Sequence, residues 1–125
     1  CNEIKRKYKN YSVSVYPDPS GKQKRTSAYD TDHDIIRQNG FKLMARNSAP
    51  RVTDRVNAVN KIMTDCIIDK KCKGLIRDLE QVVNKEGTRE IDTTNKDLTH
   101  FSDGFGYYIE FENPVQKPQT RTYTV

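Results

Sequence analysis

Cysteine and long apolar runs are both scarce in this 125-residue sequence. Only Cys1, Cys66 and Cys72 occur, and no two of them are spaced as CxxC. An odd number without paired spacing is typical neither of a disulfide framework nor of a zinc site, so we expect a reducing compartment. No apolar run approaches the length of a membrane span or of a signal-peptide core. These absences predict a soluble intracellular protein.

The composition is polar but still typical of a globular chain. Hydrophobic residues make up 34% and charged residues 31%, and the length suits one domain with a modest core. The net charge of +5 is unevenly placed, since residues 1–61 hold 13 Lys and Arg against 6 Asp and Glu. A basic half suits a polyanion such as DNA, although many soluble domains share it.

Hydrophobic periodicity and turn residues predict five helical and three extended segments. A strand, a helix and a second strand in succession favour parallel pairing by a right-handed crossover. The opening helix has no N-cap residue ahead of it, which favours a cut made inside a larger fold. Helices are expected at 1–10, 31–39, 50–64, 73–84 and 98–109, and strands at 11–16, 41–45 and 66–69.

Further predictions concern the helices expected at 31–39 and 73–84. Thr31 is expected to cap the first, with Asp34 in its first turn and Gly40 as its stop, and His33 is expected at the surface. In the helix over 73–84, we expect Leu75, Ile76, Leu79, Val82 and Val83 to be buried and Arg77, Asp78 and Glu80 to be exposed.

The last helix holds the most distinctive stretch. Its apolar stripe comprises Leu98, Phe101, Phe105, Tyr108 and Ile109, and His100, Asp103 and Tyr107 fall on the other side. Because i and i+3 side chains are neighbours, His100 and Asp103 can serve one metal ion or one water. The alternative is that Asp103 complements the helix dipole and His100 is a plain surface residue.

Several residues elsewhere are candidates for the same chemistry. Asp18 is expected at the carboxyl end of a strand, where open α/β sheets tend to bind ligands, although Pro-Asp-Pro-Ser-Gly also makes an ordinary turn. The cations Lys22, Lys24 and Arg25 in the following loop, and Arg51 and Arg55 one helical turn apart, are candidates for DNA phosphates. Solvated surface charges are the alternative for all five.

Four blocks in order resemble the C-terminal nuclease domain of the large terminase subunit of tailed bacteriophages. They are VYPDPSG (15–21), DRVNAVNK (54–61), CKGLIRDLE (72–80) and LTHFSDG (98–104). The resemblance implies an α/β fold, an RNase H-like mixed sheet flanked by helices and truncated at its N-terminus. Residues 1–112 would form the nuclease segment and residues 113–125 a flexible tail.

The resemblance also implies a site and an activity. Asp18, Asp103 and His100 match catalytic and metal-binding positions, for Mg²⁺ or Mn²⁺, in an endonuclease that cleaves concatemeric double-stranded viral DNA during packaging. The family's first catalytic Asp has no counterpart here, so we expect this segment alone to be a weak or inactive nuclease. Its implied partners are DNA, the terminase ATPase domain, the small terminase subunit and the portal, in the host cytoplasm and not at a membrane.

Two alternatives remain open from the sequence. The first is a non-catalytic module of the packaging motor that binds DNA or docks on the portal. The second is a resolvase of the same fold superfamily, which would act on branched DNA. No Walker motif or Gly-rich phosphate loop occurs, so the motor's ATPase half is not expected within this segment.

Overall fold

A computed structural model of the chain describes residues 1–24, 29–81, 86–88, 94 and 99–115. These residues contain five α-helices, two short β-strands and two 3-10 turns, at Pro19–Lys22 and Met63–Asp65. In chain order, the helices and strands are α1 (Asn2–Lys7), β1 (Ser14–Val15), α2 (Asp32–Gln38), β2 (Lys42–Leu43), α3 (Val52–Ile62), α4 (Lys73–Gln81) and α5 (His100–Glu112).

The two strands pair in parallel, as predicted, with Ser14 opposite Lys42 and Val15 opposite Leu43. Helix α2 connects them, as expected of a crossover. Both strands are shorter than predicted. The first begins late because the N–H of Tyr11 bonds to the carbonyl of Tyr8 in a turn.

The strand predicted over 66–69 is wrong. This segment contains no strand residue, and the side chain of Ile67 is 96% exposed. Its end is a turn, since the N–H of Cys72 bonds to the carbonyl of Asp69. The segment therefore connects α3 to α4 without joining the sheet.

Helix α2 has the predicted ends. Thr31 and Asp34 form a capping box, and Gly40 follows the helix at a φ of 81°, which glycine adopts without strain. The surface position predicted for His33 is wrong, because only 3% of this residue is exposed. Its ring lies under the turn after β1, where a Cβ on Gly21 would be 2.9 Å from its Cδ2.

The core lies where α5 packs against α3 and α4. Ala58, Val59 and Ile109 are buried, and Ile62, Leu79 and Phe105 pack around them. Within the described residues, no helix combines the length and the apolar character needed to span a membrane.

Helix α5 is rotated relative to the predicted stripe. Ile109 is buried as expected, but Phe101 is 57% exposed and Tyr108 is 44% exposed, whereas Glu110 is buried. The reason is that charged partners on α3, on α4 and after β2, described below, orient α5 in addition to its apolar contacts. Leu98 lies outside the described residues, as do Val82, Val83 and residues 116–125 of the expected tail.

Candidate functional site

Asp18 lies three residues after the end of β1, between two prolines. Its Oδ1 accepts a hydrogen bond from the N–H of Ser20 at 2.9 Å, so the carboxylate caps the turn Pro19–Lys22. Its carbonyl oxygen accepts a hydrogen bond from Nε2 of His33 at 3.0 Å, which places the proton of that imidazole on Nε2. The backbone at Asp18 is therefore fastened to α2, while its side chain stays exposed.

Asp103 is bound to the arginine that the sequence proposed for DNA. Nη2 of Arg55 lies 3.1 Å from Oδ1 of Asp103, and the two side chains are 10% and 41% exposed, respectively. Arg55 projects from α3 and Asp103 from α5, so this ion pair joins the two helices. A contact with a DNA phosphate would require an exposed guanidinium. The side chain of Arg55 is largely buried, so it does not meet that requirement in this conformation.

The surroundings of Arg55 are closely packed. Its guanidinium lies over the ring of Tyr107 at 4.6 Å, a distance suited to cation–π attraction. A Cβ on Gly106 would come within 2.6 Å of its Cγ, so the approach of α3 to α5 requires glycine there. The Nη1 atom of Arg55 is buried without a hydrogen-bond partner.

Both candidate acids affect the pKa of Tyr107. Burial raises the pKa of its phenol, the charges of Asp18 and Asp103 raise it further, and Arg55 opposes them. Pro17 and Pro19, which flank Asp18, line a small cavity together with Tyr107, and Asp103 is paired with the Arg55 guanidinium that lies over the same ring. Asp18 and Asp103 lie 85 positions apart in the chain, and the fold brings them to this common neighbour.

A second ion pair joins the end of β2 to α5, and the sequence did not reveal it. Nε of Arg46 lies 2.8 Å from Oε2 of Glu110, and its Nη2 donates to the carbonyl of Glu110 at 3.2 Å. Pro17, Pro19 and Tyr107 line the adjoining small cavity. The available signal was a carboxylate inside the apolar run 107–111, where only a partnered charge is stable.

Asp78 is fully buried, which corrects the exposed position predicted for it. Its Oδ2 accepts hydrogen bonds from the N–H groups of Phe101 at 2.8 Å and Ser102 at 3.3 Å. Asp78 on α4 therefore caps α5, whose own N-cap residue Thr99 makes no side-chain cap. The available signal was its position three residues after Leu75 on the apolar stripe.

The ionisation of Asp78 is favoured by these contacts. Burial by itself would raise the pKa of its carboxyl group. The hydrogen bonds from Arg77, Phe101 and Ser102 outweigh that effect, and the pKa lies below its usual value. A carboxylate at the first turn of α5 also complements the helix dipole.

His100 lines a cleft whose lining residues do not include Asp103. It is exposed, and Lys71, Cys72 and Phe101 also line this cleft, which lies between the start of α4 and the start of α5. Within the described parts of the chain, no three His, Cys, Asp or Glu side chains form a group able to hold a metal ion. The structure thus relates Asp18 to Asp103 but does not bring His100 into a three-ligand cluster with them.

The other proposed DNA contacts are peripheral. Lys22 is exposed and its Nζ donates to the carbonyl of Asn47. Lys24 is exposed, and Arg51 is exposed and paired with Asp54 at 3.1 Å. Arg25 lies outside the described residues.

Comparisons with family models, curated proteins and solved structures found no match to this chain.

Proposed function

We propose that this chain is the C-terminal part of a metal-dependent endonuclease of the terminase type, with an RNase H-like fold, that cleaves concatemeric double-stranded DNA during genome packaging. The observation that carries the proposal is geometric: Pro17 and Pro19, which flank Asp18, line a cavity with Tyr107, and Asp103 pairs with the arginine whose guanidinium lies over the same ring. One acid follows a strand of a parallel pair and the other projects from the last described helix, as the four-block resemblance implies.

The donor chemistry of these two residues suits a hard divalent cation. Mg²⁺ prefers oxygen ligands and is commonly held by one or two carboxylates, with water and substrate phosphates completing its shell. Asp18 and Asp103 supply that number of carboxylates, and His100 is not required for it. When bound, such an ion would activate the attacking water and stabilise the leaving oxygen.

The chain's own residues would set the position of the acids. The N–H of Ser20 orients the carboxylate of Asp18, and Arg55 orients that of Asp103 while leaving it 41% exposed. The contact joins Oδ1 of Asp103 to Nη2 of the guanidinium at 3.1 Å. Arg55 thus acts as a positioning residue, which holds Asp103 against α3 and balances its charge.

A nicking assay on the 125-residue chain tests the activity. A single cut relaxes a supercoiled plasmid, so even the weak activity expected of this segment is detectable. We expect slow nicking with Mn²⁺ or Mg²⁺ and none with a chelator. Asp18→Asn and Asp103→Asn should each abolish it, whereas Asp65→Asn, a change at an exposed acid in the turn Met63–Asp65, should leave it unchanged.

An NMR titration with Mn²⁺ tests the site independently of the activity. The amide signals of Asp18 and Asp103 should broaden together at low metal concentration. Nicking that persists in both acid variants, or a titration in which neither amide responds, would contradict the proposal. Linear and branched duplexes offered side by side would reveal a resolvase instead.

A non-catalytic module of the packaging motor is the second candidate. The observation in its favour is the Arg55–Asp103 ion pair, which already neutralises one of the two acids. Under this proposal the chain binds DNA or docks on the portal without cutting. DNA binding that is unaffected by Asp103→Asn, together with no metal-dependent nicking, would support it.

A further inference from the structure

The cleft between α4 and α5 is a separate surface that the proposed cleavage chemistry leaves unused. Lys71, Lys73, His100, Phe101 and Phe105 are among the residues that line it, and we name it the α4–α5 cleft. Its α5 residues repeat at three- and four-residue spacing, and neither Asp103 nor Tyr107 is among its lining residues. A ligand here would therefore not displace the Arg55–Asp103 pair.

The charge of the α4–α5 cleft is positive. Two lysines and one histidine line it, and none of its described lining residues is acidic. Of the carboxylates beside it, Asp103 binds Arg55, and Asp69, at the edge of the cleft, accepts a hydrogen bond from the N–H of Lys71 at 2.8 Å. Lys71 and Lys73 are both exposed, so their ammonium groups are available to an anionic partner.

An aromatic ring lies beside these cations. Phe101 is 57% exposed, although a phenylalanine on a helix that contacts two others is normally covered. It contacts α4 at Gly74, where a Cβ would come within 2.6 Å of the ring. Beside it, a Cβ on Gly104 would meet nothing within 4 Å, so the space next to the ring is open.

We propose that the α4–α5 cleft binds an unpaired segment of a DNA strand, with phosphates on Lys71 and Lys73 and a base stacked on Phe101. Cations that follow a backbone, next to an aromatic ring, are the combination by which single strands are held. Bases within a duplex are stacked on one another, so an exposed ring selects unpaired ones. The choice of DNA over an acidic peptide rests on the proposed nuclease function.

Fluorescence anisotropy with a labelled single strand of about 12 nucleotides, within the usual site size, measures this binding. The full 125-residue chain is used with a chelator present, so that no metal contributes. The single strand should bind several-fold more tightly than a duplex of equal length. Phe101→Leu, which keeps apolar packing on Gly74 but removes the aromatic face, should weaken binding roughly 5-fold or more, and Phe101→Tyr should not.

The salt dependence of the binding affinity tests whether Lys71 and Lys73 contact phosphates. Each phosphate contact on a single strand contributes about 0.7 to the slope of log affinity against log salt, so the Lys71→Gln, Lys73→Gln double variant should lower the slope by about 1.4. The Lys9→Gln, Lys61→Gln double variant is the matched control, because it removes the same charge at exposed positions outside the cleft. Circular dichroism of each variant verifies the fold.

Three outcomes would overturn the proposal. They are equal loss of affinity in the two lysine double variants, equal binding by Phe101→Leu and wild type, and a polyglutamate peptide that binds the cleft in preference to the single strand. The nicking assay keeps the two proposals distinct. Single-strand binding that depends on the cleft, without nicking, would support binding at the α4–α5 cleft and contradict the nuclease function. Nicking without cleft-dependent binding would support the nuclease function and contradict binding at the cleft.

Discussion

The two faces of α5 differ in burial, and the face with the charged residues is the more buried one. One face, with Asp103, Gly106, Tyr107 and Glu110, lies against α3 and the ends of the strands. The other exposes Phe101, Gly104 and much of Tyr108. Charged groups are buried where each finds a partner, and aromatic rings are exposed where no described element covers them. Partner geometry, more than apolar content, therefore sets the rotation of this helix.

Three cross-element carboxylate contacts hold α5 in that rotation. Asp78 binds its first turn, Asp103 pairs with Arg55, and Glu110 pairs with Arg46. Buried ion pairs are seldom more stabilising than apolar packing, but removing one partner leaves an uncompensated charge. The buried face should therefore be sensitive to single substitutions, and the exposed face should tolerate them.

The largest effect is expected at Asp78. Asp78→Ala removes the cap of α5 and leaves two backbone N–H groups without a protein acceptor, so the free energy of unfolding should fall by about 2–4 kcal/mol. Urea denaturation measures it. Glu80→Ala, at an exposed position of α4, should change it by less than about 0.5 kcal/mol. Similar values for the two variants would show that Asp78 does not anchor α5.

Substitutions at the two members of the Arg55–Asp103 pair should lower the free energy of unfolding by unequal amounts. Asp103→Ala leaves a guanidinium whose side chain is 10% exposed without its ion partner, and should cost about 2–3 kcal/mol. Arg55→Met leaves Asp103, which water can still reach, and should cost about 1 kcal/mol or less. Denaturation of both single variants and the double variant measures the coupling. A larger loss for Arg55→Met would reverse the inferred roles.

The two glycines of α5 provide a direct comparison of its faces. Gly106→Ala drives a methyl group into the stem of Arg55 and should destabilise by about 1–2 kcal/mol. Gly104→Ala meets nothing within 4 Å, so the better helix propensity of alanine should stabilise by about 0.5–1 kcal/mol. Thermal unfolding of both variants tests this, and equal shifts in Tm would indicate that the two faces are packed alike.

The smallest expected effect is on the pH dependence of the free energy of unfolding, through the carboxyl group of Asp78. Because the folded-state pKa of its carboxyl group is lowered, its contribution is complete above the unfolded value of about 3.9 and is lost as the pH falls through the folded value. Between about pH 4 and 2, wild type should therefore lose more stability than Asp78→Asn. Urea midpoints across this range measure the difference, and parallel curves would contradict it.

Features encoded by neighbouring residues were predictable from the sequence. Thr31 and Asp34 form the predicted capping box, and Gly40 ends α2 because its positive φ suits glycine. The strand, helix and strand order predicted the parallel pair. The position of Asp18 shortly after β1 was likewise predictable, because an alternating segment and two prolines lie within residues 11–19.

Tertiary structure alone decided which charges are buried. His33, Arg55, Asp78 and Glu110 read as surface residues or went unnoticed, yet each is buried because a distant partner satisfies it. A helical pattern reports which side is apolar, but not that Arg46 will meet Glu110 across 64 positions. The helices and the parallel pair were thus predictable from local sequence, and Asp18 and Asp103 were candidates chosen from it. Their grouping around Tyr107 and the rotation of α5 required the folded chain, because ion pairs and helix caps between distant segments leave no local periodic signal.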